Sequence, residues 1–512
     1  MSKALEPGHP PRLGLNVVAN YVGKLWGIAS IYVFVPVYVR LLGIDAYGLI
    51  AFNAIALALL FIADAGLSSA FAREAAKVQP GQILLDLLTS IERALFSILI
   101  VVGILFMLAA PLISSHWLGS TGRVSVEQVH QCLWLMSVAL IPQIAMSLYF
   151  GGLMGLQRQV SANLLWTGFS VARSGLVIIP IYFVPDIRVF FIWQALASIA
   201  MLLIMRKVLR NQIITPIKGT SSHRIEGRFS WSALRAIRGY AAGMLGMSII
   251  AALNTQLDKI VVSKMLPINE FAQYSLASTL AQVPYILTLP IAAALLPRLT
   301  NLLHQVDQRK ELILLYRNAS YYIASIGAVA GFGLSLFMPD IFMQWMYGES
   351  IGGDTVQAAR LLAVGSTLLT LQLAPFQLSL ANGHQTTNLQ LGTVILLVSA
   401  PLQVLLTLKY GVLGAAIPWL FMNFVAFAYL GIVLNIRFPL VGVSQWFFVD
   451  NLPPIIFALF WLLIARSFAD LMEMGSLFNC FIAASGALAA IGCSYVWRRH
   501  GLFMKLLILR KR

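Results

Sequence analysis

Residues 89–114, TSIERALFSILIVVGILFMLAAPLIS, make a nearly unbroken apolar run. At about 1.5 Å of rise per helical residue, such a run outreaches the roughly 30 Å hydrocarbon core of a bilayer. It does not alternate polar and apolar positions as the wall of a membrane barrel must. A helix is therefore the only form in which it satisfies its own backbone in lipid. Runs of the same kind recur before it, near 16–42 and 48–71, and after it, near 132–154, 163–184 and 190–206. Beyond residues 207–238 come runs near 240–262, 271–297, 319–345, 357–381, 389–408 and 411–434, then two more near 446–465 and 476–497. The expected fold is all-α and polytopic, with about fourteen spans and twelve as the alternative count.

Composition agrees. The chain is 59% hydrophobic and only 11% charged, with a mean hydropathy of +0.83, too few charges to keep a soluble surface of this size in water. Lys and Arg number 35 against 19 acids, an excess that in another setting suggests a nucleic-acid partner. Here most of the basic residues fall on alternate loops assigned to the cytoplasm, so the excess reads as an orientation signal. An even span count puts both termini in the cytoplasm. Residues 1–15, MSKALEPGHPPRLGL, lack the apolar core of a secretory signal, so the first span is expected to direct insertion. Cys132, Cys480 and Cys493 are odd in number and lie in apolar segments; free buried thiols are expected.

The rhythm divides the chain into a six-span lobe (1–206), a basic cytoplasmic linker (207–238), a second six-span lobe (239–436), two additional spans (437–497) and a basic cytoplasmic tail (498–512). RLLGIDAYGL from Arg40 aligns with KMLPINEFAQ from Lys264, each joining the first two spans of its lobe. Such a parallel repeat implies two bundles related by a pseudo-twofold axis, with a substrate path between them. G-x-x-x-G pairs at Gly23/Gly27, Gly151/Gly155, Gly239/Gly243 and Gly327/Gly331 are read as helix contacts within a lobe. Pro36, Pro142, Pro180, Pro284 and Pro290 kink their spans.

A charge within the hydrocarbon costs at least about 2.5–3.5 kcal/mol on insertion scales, so each one calls for a cavity or a partner. Lys24, Asp64, Arg173, Asp258 and Lys259 are singled out. Asn16, Asn20 and Lys24 recur every four residues and form a polar stripe on the first span. Asn53, Asp64 and Ser68 share a face of the second, and Thr167, Ser170 and Ser174 flank Arg173 in the fifth. In the seventh, Asn254 and Asp258 stack while Lys259 points about 100° away. Ion pairs between spans or snorkelling to the interface are the structural alternatives. The functional reading is a cationic cavity for an anionic, phosphate-bearing head group, built from Lys24, Arg173, Lys259, Asn16 and Asn20. Asp64 and Asp258 are the candidates to couple H+ or Na+ movement.

No phosphate-binding loop, HExxH or GxSxG motif occurs, the seven histidines have no metal-ligand spacing, and no loop is large enough for a catalytic domain. A transporter without cofactor or resident metal is expected, and not an enzyme.

The segments NVVANYVGKLWG from Asn16, RLLGIDAYGL, DAGLSSAFAREAAK from Asp64, GLQRQ from Gly155 and LDKIVVSKML from Leu257 resemble the polysaccharide or O-antigen flippase (Wzx-type) family. That family sits within the multidrug, oligosaccharidyl-lipid and polysaccharide exporter superfamily. The resemblance implies a V-shaped pair of lobes that carries undecaprenyl-diphosphate-linked oligosaccharide, an O-antigen or exopolysaccharide repeat unit, from the cytoplasmic to the periplasmic leaflet of the bacterial inner membrane. Alternating access with cation coupling is implied too. Asp258 and Lys259 match the Asp-Lys pair of the family's seventh span, Arg73 and Glu74 the charged end of the second; with Arg298 these last two are cytoplasmic gate candidates. Pro267 departs from the first repeat, which has Gly43. A lipid II flippase, a multidrug extruder of the same superfamily, and a membrane scaffold for polysaccharide polymerase and other assembly enzymes stand as alternatives.

Overall fold

A computed structural model describes residues 13–118, 124–215, 226–303, 305, 308–348, 351–383, 385–437 and 442–510. Within these, the side chains of 13–25, 28, 385–387, 434–437 and 501–510 are left undescribed. Every regular element among the described residues is a helix.

Twelve of the helical segments are long and apolar enough to cross a membrane. The first helix, Leu13–Leu42, adds a thirteenth. One of the twelve lies within a 53-residue helix, Gln385–Arg437, that turns at Gly411, where φ is 56° and ψ −135°. The amide of Gln403 donates to the Ala415 carbonyl at 2.9 Å, although a continuous helix would place those residues about 18 Å apart along its axis. The chain therefore folds back there, and the segment supplies two spans, fourteen among the described residues. Gly411 holds a φ/ψ combination open only to glycine. The chain is a multi-pass, all-α membrane protein.

Two compact units divide it, residues 1–253 and 254–512, with the boundary inside the seventh span, Trp231–Met265. In the first unit the fourth span (Val126–Gly155) is central; it packs against the second (Ile44–Asp64, continuing as Leu67–Lys77), the third (Gln82–Trp117) and the sixth (Ile187–Ile214). In the second unit the tenth span (Gly353–Ala381) is central, against the eighth (Ile268–Leu303), the ninth (Arg309–Leu336) and the twelfth (412–437), whose Trp419 meets Gly365 and Ser366. Each pairing in one unit thus recurs six spans later. Small residues bring the central spans close. Gly151 and Gly155 lie against Ser68, Ala72 and Ala75, and Gly327 and Gly331 against Thr370 and Thr367, so little space is left for a methyl group. The connection between the first two spans of each lobe is solved differently. Gly43 turns with φ 88°, whereas Pro267 holds φ −56° and ψ 152° and begins its helix from an extended backbone.

Three boundaries differ from those read in the sequence. Residues 207–214 of the supposed linker continue the sixth span, and 231–238 already begin the seventh. Arg498, assigned to a solvated tail, is 7% exposed, and its helix runs on to Arg510. The second span is not one helix: it stops at Asp64, turns through Ala65 (φ 51°) and Gly66 (φ 70°), and restarts at Leu67. The face proposed to join Asn53 to Asp64 and Ser68 is therefore not a continuous helical stripe. The three cysteines are free, but only Cys132 is buried; Cys480 and Cys493 are partly exposed.

Candidate functional site

The fifth span, Gln159–Phe183, is interrupted at residues 171–175 by a π-helical turn in which Leu176 N–H donates to the Val171 carbonyl. A widened turn disturbs the carbonyl pairing that lipid demands. Side chains from the neighbouring first and sixth spans make up the difference. Trp193 Nε1 donates to the Ala172 carbonyl at 2.8 Å, Gln194 Nε2 to that of Arg173 at 3.0 Å, and the Tyr38 hydroxyl to that of Ser174 at 2.5 Å. Three consecutive carbonyls are thus pinned, and with them the backbone that carries Arg173.

The half-buried Arg173 side chain itself is sparsely partnered. Nη1 donates to Gln143 Oε1 at a long 3.4 Å, and the guanidinium carbon lies 5.7 Å from the Phe169 ring centroid. Gln143 is 7% exposed and its amide nitrogen has no partner. No carboxylate among the described residues pairs with Arg173. The fork of a guanidinium matches a phosphate oxygen pair, and most of its donors are uncommitted here.

In the second unit, Asp258 accepts from the buried Tyr274 hydroxyl at 2.9 Å, and Asn254 Nδ2 donates to the Gly392 carbonyl at 3.1 Å. Asp258 and Lys259 border the same small cavity of about 10 Å³, with Ser278, Gln282, Ser366 and Trp419 around it. That is room for about one water. The two neighbours were expected to point apart, yet both reach this space, because an angular difference of about 100° still lets long side chains flank one void. No ion pair forms at Lys259 among the described residues.

Asp64 is 3% exposed. Its carboxylate accepts from the Ser68 amide at 3.3 Å, from the Ser68 hydroxyl, and from Ser147 Oγ at 3.4 Å. It thereby takes up one of the free N–H groups of the helix that restarts after the left-handed turn, whose N-cap, Gly66, has no side chain to do so. Of the gate candidates, Arg73 lies over the Tyr240 ring at 4.6 Å, Glu74 pairs with Lys77 at 2.8 Å, and Arg298 is exposed on the eighth span. Asn16, Asn20 and Lys24 fall on the first helix, but their side chains lie outside the described residues.

Several charge clusters were not anticipated, and two of them hold the most deeply buried ion-paired acids. Glu92 on the third span, 5% exposed at its side chain, accepts from Arg206 Nε at 3.0 Å, Arg210 Nη2 at 2.5 Å and the Tyr149 hydroxyl at 2.9 Å. Asp450, fully buried in another π-helical stretch (Trp446–Asn451), pairs with Arg317 and Arg498, each at 2.9 Å. The signal was available: both acids lie inside apolar runs that the sequence reading itself marked as spans.

Residues 14–303 match the family described as polysaccharide biosynthesis protein. A curated relative from Shigella flexneri, named "Putative O-antigen transporter", is 21% identical over 237 residues, 46% of this chain and 55% of that protein. The chain thus spans about half the length of the curated relative it matches. Among solved structures, the lipid II flippase MurJ in an inward closed conformation superposes with a TM-score of 0.72 at 16% identity, covering 95% of this chain and 99% of that one. An inward-facing multidrug resistance MATE transporter of the MOP superfamily gives 0.54 at 18% identity, over 85% and 96%. Likeness at this identity establishes the fold.

Proposed function

The chain belongs to the polysaccharide biosynthesis protein family, and on that footing we propose that it is a flippase that carries undecaprenyl-diphosphate-linked oligosaccharide between the leaflets of the bacterial inner membrane. The observation that carries this reading is Arg173, a cation on a braced backbone in mid-span that contacts Gln143 and Phe169 and has no carboxylate partner among the described residues. An unbalanced cation at that depth costs at least about 2.5–3.5 kcal/mol on insertion scales, and a diphosphate arriving from the leaflet offsets that cost by accepting charge-assisted bonds. Lys259, which forms no ion pair among the described residues, is a second candidate cation in the second unit, and Lys24, Asn16 and Asn20 extend the polar path of the first. Transport runs from the cytoplasmic to the periplasmic leaflet by alternating access, with both termini cytoplasmic. H+ or Na+ acting at Asp64 or Asp258 drives it, and Arg73, Glu74 and Arg298 border the cytoplasmic gate. The O-antigen link of the Shigella relative supports an O-antigen or exopolysaccharide repeat unit as cargo. Polymerase and other assembly enzymes are its proposed neighbours.

The test is lipid-linked oligosaccharide on the cytoplasmic leaflet of a deletion strain, complemented with wild type or Arg173→Ala at matched membrane abundance. Wild type should clear it; Arg173→Ala should slow clearance at least about tenfold, the equivalent of one charged hydrogen bond. Unchanged lipid-linked sugar on deletion would overturn the flippase reading.

A further inference from the structure

The first unit holds a cavity of about 390 Å³ between the third span, the sixth span and the extended segment 226–230. The segment lies in register along the third span. Gln82 Nε2 donates to the Glu226 carbonyl at 3.0 Å, Arg228 N–H to Asp86 Oδ1 at 2.7 Å, and Ser230 N–H to Ser90 Oγ at 2.8 Å. Alternate residues of the strap thus meet every fourth residue of the helix. The match is metric: two extended residues advance about 6.6 Å and four helical ones about 6.0 Å. Gly227 lies so close to Thr89 and the Leu85 carbonyl that a side chain would not fit. The strap therefore walls the cavity in a fixed position.

The walls are cationic in excess. Arg93, Arg206 and Arg210 face it along with Glu92 and Glu226. Glu92 is already saturated by Arg206, Arg210 and Tyr149, so one carboxylate stands between two guanidiniums and a net positive charge remains. Two polar atoms of lining residues, Arg210 Nε and Thr89 Oγ1, are buried without a partner, a state that costs about 1–3 kcal/mol each unless something fills it. Phe96, Leu85 and Ile214 supply an apolar floor. The volume lies within the range of small-ligand sites.

We propose that this cavity binds an anionic phosphate group, with the head group of an anionic phospholipid as its source. Arg93 and Arg210 supply charge, Thr89 a hydroxyl donor, and the apolar floor accepts the start of an acyl chain. Basic pockets between spans recognise such head groups on general electrostatic grounds. The site involves other elements than the π turn that holds Arg173 and does not rest on the flippase reading.

The test uses the purified full chain and native mass spectrometry after detergent exchange. It is loaded from vesicles of phosphatidylglycerol or phosphatidylcholine, with inorganic phosphate titrated in a separate arm. Wild type should retain phosphatidylglycerol over phosphatidylcholine. Arg93→Gln and Thr89→Val, neither of which touches the Glu92 clamp, should each weaken retention about tenfold while melting as wild type does. If either variant misfolds, the other carries the test. Protection by inorganic phosphate with no lipid preference would keep the phosphate site and replace the lipid by a soluble ligand. Equal retention by wild type and both variants, or no response to either probe, would overturn the proposal.

Discussion

Asp450 and Arg173 are both charges set in π-helical turns of membrane spans, and the surroundings they have acquired are opposite. Around Asp450 the fold has assembled two arginines, Arg317 and Arg498, the second also donating to Asn318 Oδ1. Around Arg173 it has secured the backbone with three side-chain donors and left the guanidinium nearly alone. Glu92, with Arg206, Arg210 and Tyr149, repeats the first pattern; Lys259 shares with Arg173 only that it forms no ion pair among the described residues. The difference teaches that charge at membrane depth is not one signal. A clamped carboxylate fastens spans together, whereas Arg173, on a braced backbone and with no counter-ion among the described residues, is the cation we propose is held for an incoming anion.

The largest effect should come from breaking a clamp. Asp450 is 0% exposed, and its two arginines are 13% and 8% exposed at their side chains. Asp450→Ala leaves two cations unpaired, and removal of one partner from a buried pair costs about 3–5 kcal/mol. The last two spans should lose their hold on the ninth, seen as a sharp fall in folded yield and in the detergent melting point. Glu92→Gln should cost less, about 1–3 kcal/mol, because Arg206 and Arg210 keep 42% and 31% exposure and reach water. Equal losses in the two variants would mean that exposure does not set the scale.

Arg173 should invert this ordering. Arg173→Ala removes no ion pair and relieves the cost of an unbalanced cation, so its melting point should match or exceed that of wild type while transport falls. Arg173→Lys keeps the charge but not the fork, and should recover part of the activity. A variant that loses stability and transport together would place Arg173 with the clamps.

The sequence made the spans legible because each one had to be long and apolar on its own account. All fourteen apolar runs correspond to helical segments, including the pair hidden in one uninterrupted stretch around Gly411. The charges were legible as anomalies, and Arg173 and Lys259 were picked out by depth alone. Partners were not, since Glu92 meets residues 57 to 118 positions away and Asp450 meets Arg317 across 133. Helical periodicity also misled wherever the helix changed its winding. Asp64 was assigned a face on a helix that stops at that residue, and the π turn at 171–175 shifts every residue after it. Arg498 reads in the sequence as part of a basic tail, and Glu92, although inside its run, is not among the charges singled out there.

The smallest effect should come from a pair at the very start of the sixth span, whose bonds are as short as those of either clamp. Asp186 lies in the turn before the sixth span; it accepts from the Arg188 amide at 2.8 Å and from the guanidinium at 2.5 Å. The Arg188 guanidinium beside it holds its carboxyl below the usual carboxylate range. A carboxyl depressed on folding adds stability that is fully present above its ordinary value, near about 3.9, and that is lost as the pH falls through the lowered folded value. Asp186→Asn keeps the capping oxygen and removes the charge. The melting points of wild type and variant should therefore differ slightly and by a constant amount from neutral pH down to about pH 4, then converge below it. The difference should also shrink in added salt, because Arg188 stands in water and such pairs are screened. Arg188 retains its bond to Gln131 at 3.1 Å in either case, which limits the loss further. A salt-insensitive difference as large as that of Glu92→Gln would mean that bond geometry alone, and not burial, decides what an ion pair contributes here.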